Sequence, residues 1–428
     1  MNRIVLAYSG GLDTSVAVAW LRETYGAEVV TLSADVGGGS LRADVADRAV
    51  ASGAAKAYVV DARDVFVADY VWPHLRANAL YQGVYPLATA LARPLIARLL
   101  VDVARREGAD AVAHGCTGKG NDQVRFDVAV HALAPDLEIV APMRVGMSMT
   151  RDEEIDYAAA RGIQVPVTKA SPYSIDANLW GRSVETGPLE DPWAAPREDA
   201  YAWTVAPSAA PAPQEVVIGF ESGIPVALDG ERLAAVALVE RVNELAGAHG
   251  VGRIDHVEDR LVGIKSREVY EAPAATVLHA AHRGLESLTL GRDSLRFNRL
   301  VADELGRLTY DGLWDSALAR DLRTYVAAAQ GPVSGEVRVR LDHGQAIVVG
   351  RRSAASLYDA GLATYDTGDR FDHAAANGFI TLFGLPHVTE TARTDATRTG
   401  PAEPELLGRL DVSVAGAPEP VASGSGTR

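Results

Sequence analysis

Short apolar runs and longer stretches of helical periodicity alternate along the first 170 residues, and this alternation restricts the fold more than any other feature of the chain. Ile4–Ala7, Glu28–Ala34, Ala57–Val60, Ala111–Ala113 and Glu138–Ala141 read as strands, with helices near 14–25, 41–52, 87–107, 123–134 and 151–161. Strands alternating with helices form a parallel sheet covered on both faces, an α/β architecture that binds ligands at the carboxyl ends of its strands. Two glycine turns, Ser9–Asp13 and Gly115–Gly120, each follow a strand and precede a helix. They are expected to share one crevice.

The rhythm changes beyond residue 170. Residues 204–215 carry Pro207, Pro211 and Pro213 and read as a stiff surface crossing. Helices at 231–248, 272–289 and 315–328 and strands at 334–341 and 345–350 follow, consistent with an α+β domain. From His387 onward Pro, Gly, Ser, Thr, Ala and Glu dominate, so 387–428 is expected to be a largely disordered tail.

The first turn, SGGLDTS at Ser9–Ser15, gathers what a pyrophosphate needs. Gly10 and Gly11 let backbone N–H groups approach a ligand, Ser9, Thr14 and Ser15 supply hydroxyls, and the helix start adds a positive dipole end. Asp13 would repel a bare phosphate and suits a shared Mg²⁺ instead; a capped helix after a tight turn is the plainer alternative. Neither GxxxxGK[ST] nor GxGxxG after a strand occurs. The pattern SGG-x-D-[ST] instead resembles the pyrophosphate loop of enzymes that split ATP between the α and β phosphates.

Composition chooses among such enzymes. Cys116 is the single cysteine, which excludes an intrachain disulfide and a cysteine-based zinc site and argues against sulfur-transferring and glutamine-dependent branches. The net charge of −15 argues against nucleic-acid substrates, which need a basic face. No apolar run reaches membrane-spanning length and the opening residues lack a secretory pattern, so a cytoplasmic enzyme with no membrane partner is expected. Lys56, Lys119, Lys169 and Lys265 are the only lysines against a large excess of arginine, which reads as genomic bias. A small-molecule amidating or condensing ligase remains.

The second turn, GCTGKGNDQVRF at Gly115–Phe126, places Asn121, Asp122 and Arg125 on one side of the first helical turns. With Thr117 and Lys119 they offer donors to an amino-acid carboxylate and a carboxylate to its ammonium; a capped helix with a surface Asp122–Arg125 pair is equally open. Residues 171–183 and 257–275 contain Ser174, Ser183, Glu258 and Tyr270, which could bind a polar zwitterion but read by composition as loop residues. His279, His282 and Glu286 fall at helical spacing, where a solvated face with a His282–Glu286 pair is favoured over a metal site. Nothing beside Cys116 except the helix start and Lys119 marks it as a nucleophile.

Together AYSGGLDTS, RANALY, ARPLIA, AHGCTGKGNDQVRF, VTKASPYSIDANLWGRS, LEDPW, HGVGRID, VGIKSREVYEAPAA, SLYDAGLATYD and GFITLFGLP resemble argininosuccinate synthases in order and spacing over about residues 3–386. The resemblance implies a pyrophosphate-loop ATP-binding domain of the adenine nucleotide alpha hydrolase type over 1–170. A synthetase and multimerisation domain over 171–386 and a homotetramer are implied as well. It implies that citrulline attacks Mg-ATP, and that aspartate displaces AMP to give argininosuccinate. ATP would contact Ala7, Tyr8, Ser9, Gly10, Gly11, Leu12, Asp13, Thr14, Ser15, Ala34 and Gly115. Thr117, Asn121 and Asp122 match aspartate positions; Tyr85, Asn121, Arg125, Ser174, Ser183, Glu258 and Tyr270 match the citrulline site. Asp13, as Mg²⁺ ligand, and Arg125 are the expected catalytic groups. Four positions depart from the family: Gly38 replaces a Gln, Ala90 a frequent Ser, Met143 a common Trp and Asp259 an Asn. They leave open a relative with another ureido or carbonyl acceptor, or a catalytically silent ATP-binding paralogue.

Overall fold

The computed structural model describes residues 1–39, 41–144, 146–147, 149–163, 172–397 and 410. Met1–Tyr358 forms one compact unit and Asp359–Arg428 a second. The first unit begins as the sequence suggests, with β1 (Arg3–Ala7), α1 (Leu12–Tyr25), β2 (Glu28–Asp35), α2 (Val45–Ala51) and β3 (Lys56–Asp61). A helical stretch that the periodicity did not reveal follows, in which α3 (Arg63–Val65) continues through a π-helical turn (Phe66–Val71) into α4 (Trp72–Ala77). Then come α5 (Ala88–Glu107), β4 (Ala111–Ala113), α6 (Asp122–Leu133), β5 (Glu138–Val140) and α7 (Arg151–Ala160).

These strands form a five-stranded parallel sheet in the order β3-β2-β1-β4-β5. Its central strand RIVLA is apolar on both faces because successive side chains point to opposite sides and both sides carry helices. Ile4 and Leu6 pack with Val16 and Leu21, whereas Val5 packs with Leu100 and Phe126 on the other face. The strand order reverses between β1 and β4. That switch point brings the turns after these two strands side by side.

The chain continues with β6 (Ser174–Asn178), β7 (Gly181–Glu185), β8 (Gln214–Glu221), β9 (Ile224–Leu228), β10 (Glu231–Arg232) and α8 (Ala235–Ala248). Next are β11 (Arg253–Asp259), β12 (Lys265–Glu271), α9 (Pro273–Thr289), α10 (Arg292–Tyr310), α11 (Ala317–Ala329), β13 (Gly335–Asp342) and β14 (Gln345–Arg352). One antiparallel sheet has the order β10-β9-β8-β13-β14 and another β11-β12-β7-β6. The segments around Ser174, Ser183, Glu258 and Tyr270 are therefore strands, not the loops their composition suggested. The boundary expected at 170 and Lys169 lie outside the described residues.

His279, His282 and Glu286 sit on α9 with their side chains buried, so the solvated face expected there is core. The direct His282–Glu286 pair is replaced by a bridge of amides: His282 bonds Asn78 at 3.0 Å and Gln330 at 2.8 Å, and both amides donate to Glu286 at 2.6 Å. Among the described residues no group of three or more His, Cys, Asp or Glu is placed to hold a metal ion. No described helix is long and apolar enough to cross a membrane.

The second unit contains α12 (Ala360–Ala363) and α13 (His373–Thr397). The tail expected from His387 is helical as far as Thr397, and residues 398–409 and 411–428 lie outside the described residues. Phe379, Ile380, Leu382 and Phe383 are exposed along α13.

Candidate active site

β1 ends at Ala7 and the chain turns through Gly10, whose φ of 78° is a left-handed conformation that favours glycine. Gly11 then starts α1 with no side-chain cap, which leaves the first-turn amides of the helix open to an anion. Ser9 Oγ lies 3.1 Å from Thr14 Oγ1 and shares a hydrogen bond with it. A cleft of about 340 Å³ opens over this turn, lined by Ala7, Tyr8, Ser9, Gly11, Leu12, Asp13, Thr14, Ala34 and Gly115, with Arg93 and Asp176. Gly10 and Ser15 are not part of the lining: Gly10 makes the bend, and the buried Ser15 hydroxyl bonds the Tyr8 hydroxyl at 2.9 Å.

Asp13 is exposed at this turn, and Glu154 on α7 is its neighbour. Glu154 is only 3% exposed and its Oε1 has no hydrogen-bond partner. Burial, with the Asp13 charge beside it, raises the Glu154 carboxyl to about 7. Two hard carboxylates next to a phosphate cradle are a donor set that fits Mg²⁺, which keeps waters and phosphate oxygens in its shell.

A second cleft of about 400 Å³ is lined by Tyr85, Thr117, Asn121, Asp122, Arg125, Ser174, Ser183, Glu258 and Tyr270, which is every residue that the resemblance assigns to an amino-acid substrate; Lys119, also expected to offer a donor there, is exposed and outside the lining. The start of α6 contributes Asn121, Asp122 and Arg125. The four-stranded sheet contributes the rest of the polar wall: Tyr270 pairs with Ser183, and Ser183 with Asp176. Ser174, Glu185 and Glu268 lie two residues from these and so share their face. Asp176, Glu185, Glu268, Arg93 and Arg260 also line the cleft, and sequence reasoning missed them. The signal for Asp176, Glu185 and Glu268 was the i, i+2 spacing of Ser174-x-Asp176, Ser183-x-Glu185 and Glu268-x-Tyr270, strands whose inward face is polar; Arg93 on α5 and Arg260 after β11 carried none.

The two clefts meet at Ser9, Arg93, Gly115, Cys116 and Asp176. Arg93 Nε donates to Asp122 at 2.9 Å, and its Nη2 pairs with Asp176. Asp122 also takes Arg125 Nη1 at 2.9 Å. Burial alone would push the Asp122 carboxyl up, but the two guanidiniums hold it below the usual carboxylate range. This is not the solvated surface pair: Arg125 is 4% exposed, and its Nη2 is a buried donor without a protein partner. Glu268 is pushed up to about 8 by burial and the neighbouring Glu185, against the pull of Arg260. Burial and the Asp122 charge raise Cys116 to about 12, which keeps it a thiol and unsuited to nucleophilic attack.

None of the four departures from the family pattern lines either cleft. A Cβ on Gly38, at φ 75°, would lie 2.8 Å from the Asn178 backbone, so no side chain fits that conformation. Ala90 is fully buried in the core, and Thr89 is the neighbour that reaches the cleft. Met143 packs against the core on the α1 side of the sheet. Asp259 binds Lys265 at 2.5 Å and Gln82 at 2.7 Å.

Comparison with known proteins adds independent findings. The model of the arginosuccinate synthase N-terminal HUP domain matches residues 3–164, and that of the arginosuccinate synthase C-terminal domain matches residues 173–389. The chain is 55% identical over 385 residues to the argininosuccinate synthase of Dehalococcoides mccartyi, covering 90% of this chain and 95% of that one. It is 56% identical over 387 residues to that of Symbiobacterium thermophilum, covering 90% and 96%. Among solved structures, the U34-tRNA thiolase NcsA from Methanococcus maripaludis covers 40% of this chain and 60% of its own at 17% identity and a TM-score of 0.25, too slight a likeness to bear on the fold. Matched in both halves by one family and more than half identical to these relatives along nine-tenths of its length, the chain belongs to the argininosuccinate synthase family.

Proposed function

We propose that the two clefts divide one condensation between them, with ATP over the glycine turn and the amino acids against the four-stranded sheet. The chain is an ATP-dependent ligase that joins citrulline to aspartate and forms argininosuccinate, AMP and pyrophosphate. The ureido oxygen of citrulline attacks the α-phosphorus, and the α–β bridging bond breaks as pyrophosphate leaves. The aspartate amine then attacks the activated ureido carbon, the carbon–oxygen bond breaks with AMP as leaving group, and the amine gives up its proton.

Such chemistry needs alignment and neutralised charge rather than a protein nucleophile. Ala7, Tyr8, Ser9, Gly11, Leu12, Asp13, Thr14, Ala34 and Gly115 hold ATP, with the open amides of α1 on the departing phosphates, while Gly10 makes the bend and the buried Ser15 supports Tyr8. Asp13 holds Mg²⁺, which when bound supplies charge neutralisation to the phosphates. Thr117, Asn121 and Asp122 take aspartate. Tyr85, Asn121, Arg125, Ser174, Ser183, Glu258 and Tyr270 take citrulline, a reading that the buried, unpartnered Nη2 of Arg125 supports. The observation that carries this reading is the convergence of all these amino-acid positions in one cleft that shares Arg93 and Gly115 with the nucleotide cleft.

The division into 1–170 and 171–386, a homotetramer and a cytoplasmic location belong to the same reading. The exposed apolar side chains of α13 support assembly, and the single cysteine suits a reducing compartment. Asp13→Asn is expected to lower citrulline-dependent pyrophosphate release by about a hundredfold or more, a loss of several kcal/mol of transition-state stabilisation. Circular dichroism and oligomeric size should not change. Near-normal release would remove Asp13 from the mechanism.

A further inference from the structure

Tyr310 closes α10 and is fully buried, yet it touches residues from three other segments around the amino-acid cleft: the 81–85 turn, the start of α6 and β11. Its hydroxyl donates to Glu258 Oε1 at 2.5 Å and accepts from Asn121 Nδ2 at 2.7 Å. Its carbonyl accepts from Arg125 Nε at 2.9 Å. Its ring stacks on Tyr81 with centroids 3.5 Å apart, meets Tyr85 edge-on at 6.5 Å, and lies under the Arg125 guanidinium at 4.8 Å. The approach of α10 to α6 requires Gly312, where a Cβ would stand 2.9 Å from Arg125 Cα.

The polarity of this network is determined by its ends. The Leu261 N–H can only donate, and it meets Asn121 Oδ1 at 2.9 Å, so the Asn121 amide must turn its Nδ2 to the Tyr310 oxygen. Tyr310 then sends its single proton to Glu258, whose other oxygen takes the Tyr270 hydroxyl at 2.7 Å. Burial and the Glu258 charge both push the Tyr310 hydroxyl's pKa up, so it remains a donor. One Asn121 N–H and the remaining Glu258 lone pairs are left for whatever enters the cleft that both residues line.

We infer that Tyr310 is a positioning residue for the citrulline site: through one hydroxyl it sets the orientation of the Asn121 amide, which donates to the substrate, and of the Glu258 carboxylate, which accepts its ammonium. The inference rests on the citrulline reading above. It assigns Tyr310 to the acceptor amino acid and not to the nucleotide, because its hydroxyl partners Asn121 and Glu258 both line the amino-acid cleft and neither lines the ATP cleft.

Tyr310→Phe keeps the ring stack, the cation–π contact and the carbonyl bond while removing the hydroxyl. The expected result is a citrulline KM and a calorimetric citrulline Kd raised about tenfold, with kcat within threefold and the KM for ATP within twofold of wild type; one charge-assisted hydrogen bond is worth that much. In a double-mutant cycle with Glu258→Gln, the combined loss in citrulline binding should be smaller than the product of the single losses. Tyr81→Phe, which keeps the same stack but removes a hydroxyl bonded to the Asp259 carbonyl, should leave the citrulline Kd within twofold. If Tyr310→Phe does not fold, 3-fluorotyrosine at position 310 preserves the shape and makes the hydroxyl a better donor and a poorer acceptor. It should shift the citrulline Kd by at least twofold with the ATP KM unmoved. Wild-type protein that fails to bind citrulline overturns the functional reading and this inference with it. Wild-type binding that Tyr310→Phe, or the fluorinated residue where Phe does not fold, leaves within twofold overturns the inference alone.

Discussion

At the scale of single residues, polar side chains in this chain divide into those that wait for a ligand and those fully occupied by the protein. Glu271 belongs to the second kind. It is completely buried and accepts Arg182 at 2.7 Å, the backbone N–H groups of Ala202, Trp203 and Thr204 at 2.8–2.9 Å, and the Thr204 hydroxyl at 2.8 Å. Glu271→Ala would strand all five donors, so urea unfolding should show a loss of about 3–5 kcal/mol; a loss under about 1 kcal/mol would mean that water replaces the carboxylate freely. Arg125 is of the first kind, because one of its nitrogens is buried and unanswered. The sequence made Asp122 and Arg125 legible because they stand three apart on one helix. Arg93 was not legible as a site residue: its partners Asp122 and Asp176 lie on α6 and β6, and only tertiary packing brings them to it.

At the scale of elements, the parallel sheet was readable because its inner strands β1 and β4 are apolar on both faces, a pattern that few other structures produce. The sheet β11-β12-β7-β6 was misread because one of its faces is the wall of the site. Ser174, Asp176, Ser183 and Glu185 occupy the positions where an ordinary half-buried strand would show apolar side chains. The Gly37–Gly39 turn tests the contact between the two sheets' loops. Leu179 N–H donates to Val36 O at 3.0 Å, which presses this turn against β6 and leaves no room for a Cβ on Gly38. Gly38→Gln, which installs the residue usual in the family, should therefore lower Tm by several degrees and raise the KM for ATP, because the turn must move away from Asn178. Unchanged Tm and KM would show that the turn adapts without cost.

At the scale of the whole molecule, stability should fall with acid through a group remote from the chemistry. Burial lowers His74 from the ordinary 6.5 to about 3, and its bonds suit the neutral ring, with Nδ1 near Tyr70 O at 3.3 Å and Nε2 at 2.7 Å from the Thr309 hydroxyl. The unfolded chain takes up this proton below its ordinary pKa while the native chain does not. The stability contributed by the neutral His74 is thus complete above that value and lost as pH falls toward the native one, at about 1.4 kcal/mol per pH unit. His74→Gln should flatten that acid limb in urea titrations at several pH values; an unchanged slope would mean that other groups set it. The proposed homotetramer is tested at the same scale: if α13 carries its interface, Phe379→Asp with Phe383→Asp should lower the assembled mass in light scattering relative to the unsubstituted chain, and an unaltered mass would place the interface elsewhere. Attack of the ureido oxygen on the α-phosphorus links the chemistry of the two clefts, and citrulline labelled with ¹⁸O at that oxygen tests it directly. Turnover with ATP and aspartate should deliver the label to the phosphate of AMP and none to pyrophosphate. Label in pyrophosphate, or unlabelled AMP, would contradict attack of citrulline at the α-phosphorus.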